Sequence, residues 1–299
     1  MKGSYLNDQF FSRLETLSLH LKSNLAGYFG GKNRVNSYGQ TVEFADFREY
    51  QLGDDIRRID WNLYSRFEKY FLKLFTDERQ MQVQIFLDCS ASMGKDNPEK
   101  FNYAIATAAA LGFLTVQNMD KLSFQLMKGN KAENPYGTLI GKNAFFRAIG
   151  DLEKLNFEDE VDIEACVKSC ADTSSKNGLT VIISDFLTES DWKKAVDYLC
   201  YKKRQVLLVQ LLTREELNPA YDGRMNLVDA ESLDMADNRN MKLRITRSML
   251  QAYEEALQDF KKDIKTFCSK RDVDYISVAT DMPIEKVLFN ELLKAGIME

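Results

Sequence analysis

QVQIFLDCSASMG, residues 82–94, runs from a strand-like, increasingly apolar stretch into an acid, a group of small polar residues and a glycine. Asn97 and Pro98 then open a segment with apolar or small residues at Phe101, Ala104, Ile105, Ala108, Leu111 and Gly112, the spacing of a helix. Apolar strand, polar turn and amphipathic helix in that order make the first half of a βαβ unit. In sheets built from such units, ligands sit against the loops at the carboxyl ends of the strands. Here that loop carries Asp88, Ser90 and Ser92, three oxygen-bearing side chains at alternate positions.

The same rhythm continues downstream. Lys121–Met127 is expected to be a strand, residues 129–141 a loop or small hairpin, and Asn143–Leu155 and Asp162–Thr173 helices. Leu179–Ile183 (LTVII) is a continuous β-branched and leucine run, as expected of a parallel strand buried on both faces, and it ends in Ser184 and Asp185. Ser190 is expected to cap a helix with Trp192, Val196 and Leu199, and Gln205–Leu212 to form the next buried strand. Pro219, Gly223 and the MADNRN turn interrupt the alternation, so about 213–245 reads as a β-hairpin insertion. A long helix over Thr246–Lys270, a strand over Asp274–Ala279 and a helix to about Ala295 complete the chain. Regular alternation predicts an α/β fold: a Rossmann-like, mostly parallel sheet with helices on both faces.

Two segments precede it. Residues 5–25 carry Phe10, Leu14, Leu17, Leu21 and Leu25 on one helical stripe, ended by Gly30-Gly31. Residues 38–75 are extended and charged, and include QLGDDIRRIDWNLYSR. Arg48, Arg57, Arg58 and Arg66 face Asp54, Asp55 and Asp60 there, with Ile56, Ile59 and Trp61 interleaved. We expect bidentate arginine–carboxylate pairs to hold this loop, because the interleaved isoleucines and Trp61 would otherwise stand in water. The expected organisation is residues 1–80 as an N-terminal helix and charged extended segment packed on a main domain of residues 81–299.

Composition narrows the function. The 299 residues are 44% hydrophobic and 28% charged, and 40 Lys and Arg against 45 Asp and Glu leave a net charge of −5. That balance does not favour nucleic acid or an anionic membrane as partner. The longest apolar run, Tyr103–Val116, is too short to span a bilayer, and the N-terminus has no signal-peptide pattern. Five scattered cysteines lead us to expect a reduced, cytoplasmic protein, with Cys166 and Cys170 as buried thiols. The only histidine, His20, is expected to be a helix residue, which excludes a histidine-built zinc site.

Asp88 and Asp185 close two separate buried strands, so neighbouring strands would place both carboxylates at one crevice. Hydroxyls with carboxylates are hard ligands, suited to Mg²⁺ or Mn²⁺. DCSAS resembles the DxSxS metal-ion-dependent adhesion motif of von Willebrand factor A domains, and ISD resembles the strand-end aspartate of that site. EFADFREYQLGDDIRRIDWNLYSRF, residues 43–67, resembles the signature of the domain-of-unknown-function 58 family, and Asp229-Ala230-Glu231 also resembles it. The resemblance covers roughly residues 38–299. It implies a von Willebrand factor A-like domain without established catalysis, and an adaptor role beside a MoxR-type AAA+ ATPase. It also implies Asp88, Ser90, Ser92 and Asp185 as ligands of Mg or Mn. The motif's threonine, however, falls where this chain reads Glu160-Val161-Asp162, so either Glu160 or Asp162 serves instead or the site is weak; Thr138 is an alternative donor whose loop position fits less well.

The leading expectation is therefore a non-enzymatic protein-binding domain. Its strand-end face recognises a partner, with Arg48, Asp54, Asp55, Arg57, Asp60, Trp61 and Arg66 as a second contact surface or structural network. One alternative is a metal-dependent hydrolase or phosphotransferase using Asp88. It needs a basic group, and near the two strand ends the sequence offers Lys95 alone. The other alternative is a metal-free structural scaffold.

Overall fold

The computed structural model describes residues 6–16, 42–51, 54–77, 80–94, 98–155, 157, 160–170, 178–188, 190–219, 223–227, 241–284 and 287. The chain divides into two compact units, one of residues 25–80 and one of residues 1–24 with 81–299. The N-terminal helix thus belongs to the larger unit rather than with the charged segment that follows it.

The larger unit starts with helix α1 (residues 8–16). In the smaller unit, β1 (Val42–Glu49) pairs antiparallel with β2 (Phe71–Asp77), with a bulge between Phe44 and Asp46, and α2 (Trp61–Phe67) lies between them in sequence.

The main sheet is built from β3 (Gln82–Asp88), β4 (Lys121–Lys128), β5 (Lys131–Glu133), β6 (Gly178–Ser184), β7 (Gln205–Leu212) and β10 (Asp274–Ala279). Its order is β10-β7-β6-β3-β4-β5, parallel throughout except for β5, which pairs antiparallel with β4 at the edge. The helices bounded among the described residues are α3 (Pro98–Gln117), α4 (Lys142–Leu152), α5 (Ile163–Ser169), α6 (Trp192–Tyr201), α7 (Arg214–Leu217) and α8 (Arg247–Ser269); most of the expected last helix lies outside the described residues. The expected insertion contains α7 and an antiparallel hairpin, β8 (Gly223–Leu227) with β9 (Met241–Ile245). Positions 229–231 and the MADNRN turn lie outside the described residues, as do His20 and Leu17, Leu21 and Leu25 of the expected N-terminal stripe.

Both faces of the sheet are covered, as alternation requires. On one face Phe86, Ile182 and Leu208 pack with Cys166 and Val167 of α5, Ala195, Val196 and Leu199 of α6, and Ile264 and Cys268 of α8. On the other, the alanine-rich centre of α3 comes so close to β4 that a Cβ at Gly112 would lie 3.0 Å from Leu122 and 3.1 Å from Phe124. Helix α1 joins this side: Leu14 is fully buried, and the Phe11 ring lies 5.3 Å from that of Phe113 and 5.0 Å from that of Phe146. One boundary differs from expectation. Asp191, not Ser190, caps α6, because the Ser190 hydroxyl accepts the Ile163 N–H and ties α5 to the loop before α6.

At the amino ends of the strands, the buried Arg204 guanidinium donates to the Thr180 hydroxyl (2.6 Å) and to the carbonyls of Gln82 (3.0 Å) and Leu179 (2.9 Å). This clamp needs a glycine at position 178, where a Cβ would stand 2.3 Å from the Gln82 oxygen and 2.8 Å from the guanidinium. Gly178→Ala is therefore expected to cost about 2–4 kcal/mol. Gly150→Ala, in an open helical position of α4, is expected to add about 0.5–1 kcal/mol. Urea denaturation of both variants checks the pair, and equal midpoints would contradict the account.

Candidate functional site

Because β3 and β6 are adjacent, with Leu87 opposite Ile183, the acids that follow them meet at one end of the sheet. Asp88 ends β3 and is 2% exposed. One of its oxygens accepts the Ser90 N–H at 2.9 Å, and the other accepts the Ser184 hydroxyl at 2.5 Å. The Ser184 oxygen in turn accepts the Phe186 N–H at 2.9 Å. The Ser90 and Ser92 hydroxyls lie 3.1 Å apart and bond to each other, and residues 91–93 form a single 3₁₀ turn. Asp88, Ser90, Ser92 and Asp185 are thus brought to the same strand-end region.

Asp185 follows β6 and is equally buried. Its Oδ1 accepts the Leu187 N–H at 2.9 Å, and its Oδ2 accepts the Lys100 ammonium at 2.7 Å. Lys100 is fully buried in the first turn of α3, where its Nζ also reaches Glu216 Oε1 at 2.8 Å. Glu216 belongs to α7 and forms a capping box with Thr213, its Oε2 accepting the Thr213 N–H at 2.7 Å. Lys100 and Glu216 had not been singled out from the sequence. The available signal was position: Lys100 lies four and eight residues before Ala104 and Ala108, on the buried stripe of a helix that leaves an acid-bearing loop. A lysine there is either misplaced or paired.

The electrostatics follow from burial. Loss of water, and then the neighbouring Asp185 charge, push the Asp88 carboxyl up to about 6, against the lowering effect of its Ser184 and Ser90 hydrogen bonds. Burial by itself would lower the Lys100 ammonium, but the Asp185 and Glu216 carboxylates outweigh it and its pKa is raised. Desolvation also drives the Cys89 thiol far above its ordinary value, with the Asp88 charge adding to the shift, so Cys89 is an inert buried thiol. All five cysteines are free thiols, and Cys166 and Cys170 are buried as expected.

As arranged, the Asp185 carboxylate is already matched by an ammonium, and that works against a divalent ion at this site. Both Asp88 oxygens and both Asp185 oxygens are engaged, one of them by an ammonium. Val161 is buried and offers no side-chain donor, and the Thr188 hydroxyl donates to its carbonyl at 3.4 Å. Asp162 caps α5 through the Ala165 N–H at 3.0 Å, and Glu160 is exposed. Among the described residues, no group of three or more His, Cys, Asp and Glu side chains is placed to hold a metal.

In the smaller unit the charged network differs from expectation. Arg48 pairs with Asp54 at 2.7 Å, and Asp54 also accepts the Gln51 N–H. Asp55 and Asp60 instead act as caps. Asp55 takes the Arg57 N–H of a 3₁₀ turn, and Asp60 takes the Asn62 and Leu63 N–H groups at the start of α2. Among the described residues, the hydrogen bonds that organise this loop run mainly from backbone to carboxylate rather than from bidentate arginines. Arg57 and Arg66 are exposed. Ile59 is buried, whereas Ile56 and Trp61 are 63% and 60% exposed, because the capped turns direct them outward. The side chain of Arg58 lies outside the described residues.

The raised Asp88 carboxyl has a signed consequence. Between pH 3.8 and about 6 the unfolded chain ionises this group while the native state keeps it protonated, so stability falls as pH rises through that window and then levels. Asp88→Asn removes this contribution. The stability of the variant relative to the parent is expected to rise by up to about 3 kcal/mol from below pH 4 to above pH 6. Urea titrations across that range check it, and a pH-independent difference would contradict it.

The family described as "Protein of unknown function DUF58" matches residues 46–262. The "Uncharacterized protein Rv1480" of Mycobacterium tuberculosis (strain ATCC 25618 / H37Rv) is 26% identical over 237 residues, covering 78% of this chain and 74% of the relative. Among solved structures, the conserved hypothetical protein BatB from Bacteroides thetaiotaomicron is similar with TM-score 0.43 and 17% identity, over 72% of this chain and 98% of that one. The SpRpn10 VWA domain is similar with TM-score 0.39 and 10% identity, over 71% and 95%. With its GDD–RRIDW segment and its strand-end aspartates both inside the matched residues, the chain belongs to the DUF58 family.

Proposed function

We propose that this chain is a non-enzymatic protein-binding domain that recognises a partner protein through the carboxyl-end face of its main sheet. The observation that carries the reading is that the reactive-looking groups of that face are consumed internally. Asp88 holds Ser90 and Ser184, Asp185 and Glu216 hold Lys100, and the Cys89 thiol is raised far from reactivity. A loop cluster held this firmly presents a preorganised surface, which lowers the ordering cost of binding. Leu187, two residues past Asp185 and 43% exposed, supplies an apolar contact on its rim. Among the described residues no helix is long and apolar enough to cross a membrane.

The partner we favour is a MoxR-type AAA+ ATPase, the class that the resemblance of residues 43–67 brings with it. In this pairing the domain acts as an adaptor and contributes no chemistry of its own. Lys100 is the basic group that the phosphotransferase alternative needs. It is nevertheless 0% exposed and closed in by two carboxylates, which leaves it no route to a phosphoryl group. Screening the protein against phosphomonoesters and nucleotides with Mg²⁺ is expected to give no turnover, and turnover abolished by Asp88→Asn would overturn the non-enzymatic reading.

Calorimetric titration of the purified chain with a MoxR-type AAA+ ATPase from the same organism tests the adaptor reading. Leu187→Asp is expected to weaken binding at least about tenfold. Tyr201→Asp is expected to leave it unchanged: Tyr201 is 81% exposed but ends α6, just before β7 begins, and so stands at the amino end of the sheet. No binding, or equal loss in both variants, would favour a structural scaffold instead.

A further inference from the structure

We infer that the Lys100 ammonium is the resident cation of the Asp185 carboxylate and neutralises it in place of a divalent metal. The geometry carries this. Its Nζ lies 2.7 Å from Asp185 Oδ2 and 2.8 Å from Glu216 Oε1, and the side chain is fully buried. The two carboxylates come from different strand ends, after β6 and after β7, while the lysine comes from the helix after β3. The cation therefore joins three loops, as a bound ion would.

Its position in α3 sharpens the point. Lys100 is the third residue of the helix, where the backbone N–H groups and the helix dipole disfavour positive charge. An ammonium buried there is retained only because two carboxylates converge on it. The remaining oxygens each already take part in a hydrogen bond. The Asp88 oxygens are occupied by Ser90 N–H and Ser184 Oγ, the second Asp185 oxygen by Leu187 N–H, and the Ser90 and Ser92 hydroxyls by each other. On the sequence reading that sets Val161 against the adhesion motif's threonine, this buried, apolar side chain withholds a ligand while the lysine supplies the charge. A dication would have to expel a buried ammonium or share Asp185 with it, and like charges on one carboxylate repel. The inference concerns only the cation and holds whichever partner the face recognises.

The experiment titrates the full chain with Mn²⁺, following free Mn²⁺ by electron paramagnetic resonance, with Mg²⁺ calorimetry alongside. The parent protein is expected to bind neither ion at millimolar concentration. Lys100→Ala removes the ammonium, vacates its space and leaves Asp185 and Glu216 facing each other. It is expected to gain a Mn²⁺ site at least about tenfold tighter than anything the parent shows, with a melting temperature that rises with Mn²⁺. Adding Asp185→Asn to Lys100→Ala is expected to abolish the gained site. A parent protein that binds Mn²⁺ and loses it on Asp88→Asn overturns the inference. So does a folded Lys100→Ala variant that gains no Mn²⁺ site. Should Lys100→Ala fail to fold, Lys100→Met, which keeps the packing and removes the charge, takes its place, and the parent titration still decides.

Discussion

An ammonium taken out of water is among the most costly groups a fold can bury, and Lys100 is held by two carboxylates from two different loops. Removing one partner of such a cluster leaves a buried charge uncompensated, at a cost of about 3–5 kcal/mol. The start of α3, the turn after β6 and the short helix α7 after β7 therefore cannot move independently. Each would strand a charge. This one constraint places Asp185, shapes the loop that follows it and leaves Asp88 as a second buried acid beside it.

The constraint spreads across the sheet through neutral groups. The Gln210 amide donates to the Asp185 carbonyl at 2.9 Å, and the Tyr275 hydroxyl donates to Gln210 Oε1 at 2.6 Å. The Tyr253 hydroxyl of α8 reaches the Glu216 carbonyl at 2.8 Å. Side chains from β10, β7 and α8 thus support the same strand-end loops that Lys100 joins. At the opposite end of the strands, Arg204 performs the corresponding task with Thr180, Leu179 and Gln82. The sheet is pinned at both ends by a buried cation. One is satisfied by carboxylates and the other by backbone carbonyls and a hydroxyl.

Local chemistry explains where expectation and structure part. The alternation of apolar runs with helical spacing carried the α/β architecture, because strand and helix periods are properties of short stretches and survive any tertiary context. The acids at the ends of β3 and β6 were legible for the same reason. The charged segment departs from expectation at Ile56 and Trp61, which are exposed. Alternating charge and apolar residues look like a buried network, but Asp55 and Asp60 each sit where a turn begins and prefer the nearest backbone N–H groups to a distant guanidinium. Ser190 and Asp191 show the same ambiguity on a smaller scale: either caps a helix, and the choice went to Asp191 because Ser190 was needed by Ile163.

The amino-acid sequence by itself determined that this chain is an α/β domain of the DUF58 family with two acid-bearing strand ends. Each of those features is written in contiguous residues. Only the tertiary structure decided what the acids do. Lys100 and Asp185 are 85 residues apart, Lys100 and Glu216 are 116 apart, and nothing local to any of them specifies the others. Their meeting depends on the strand order that sets β3 beside β6 and β6 beside β7, and on the burial that makes an unpaired charge too costly to leave.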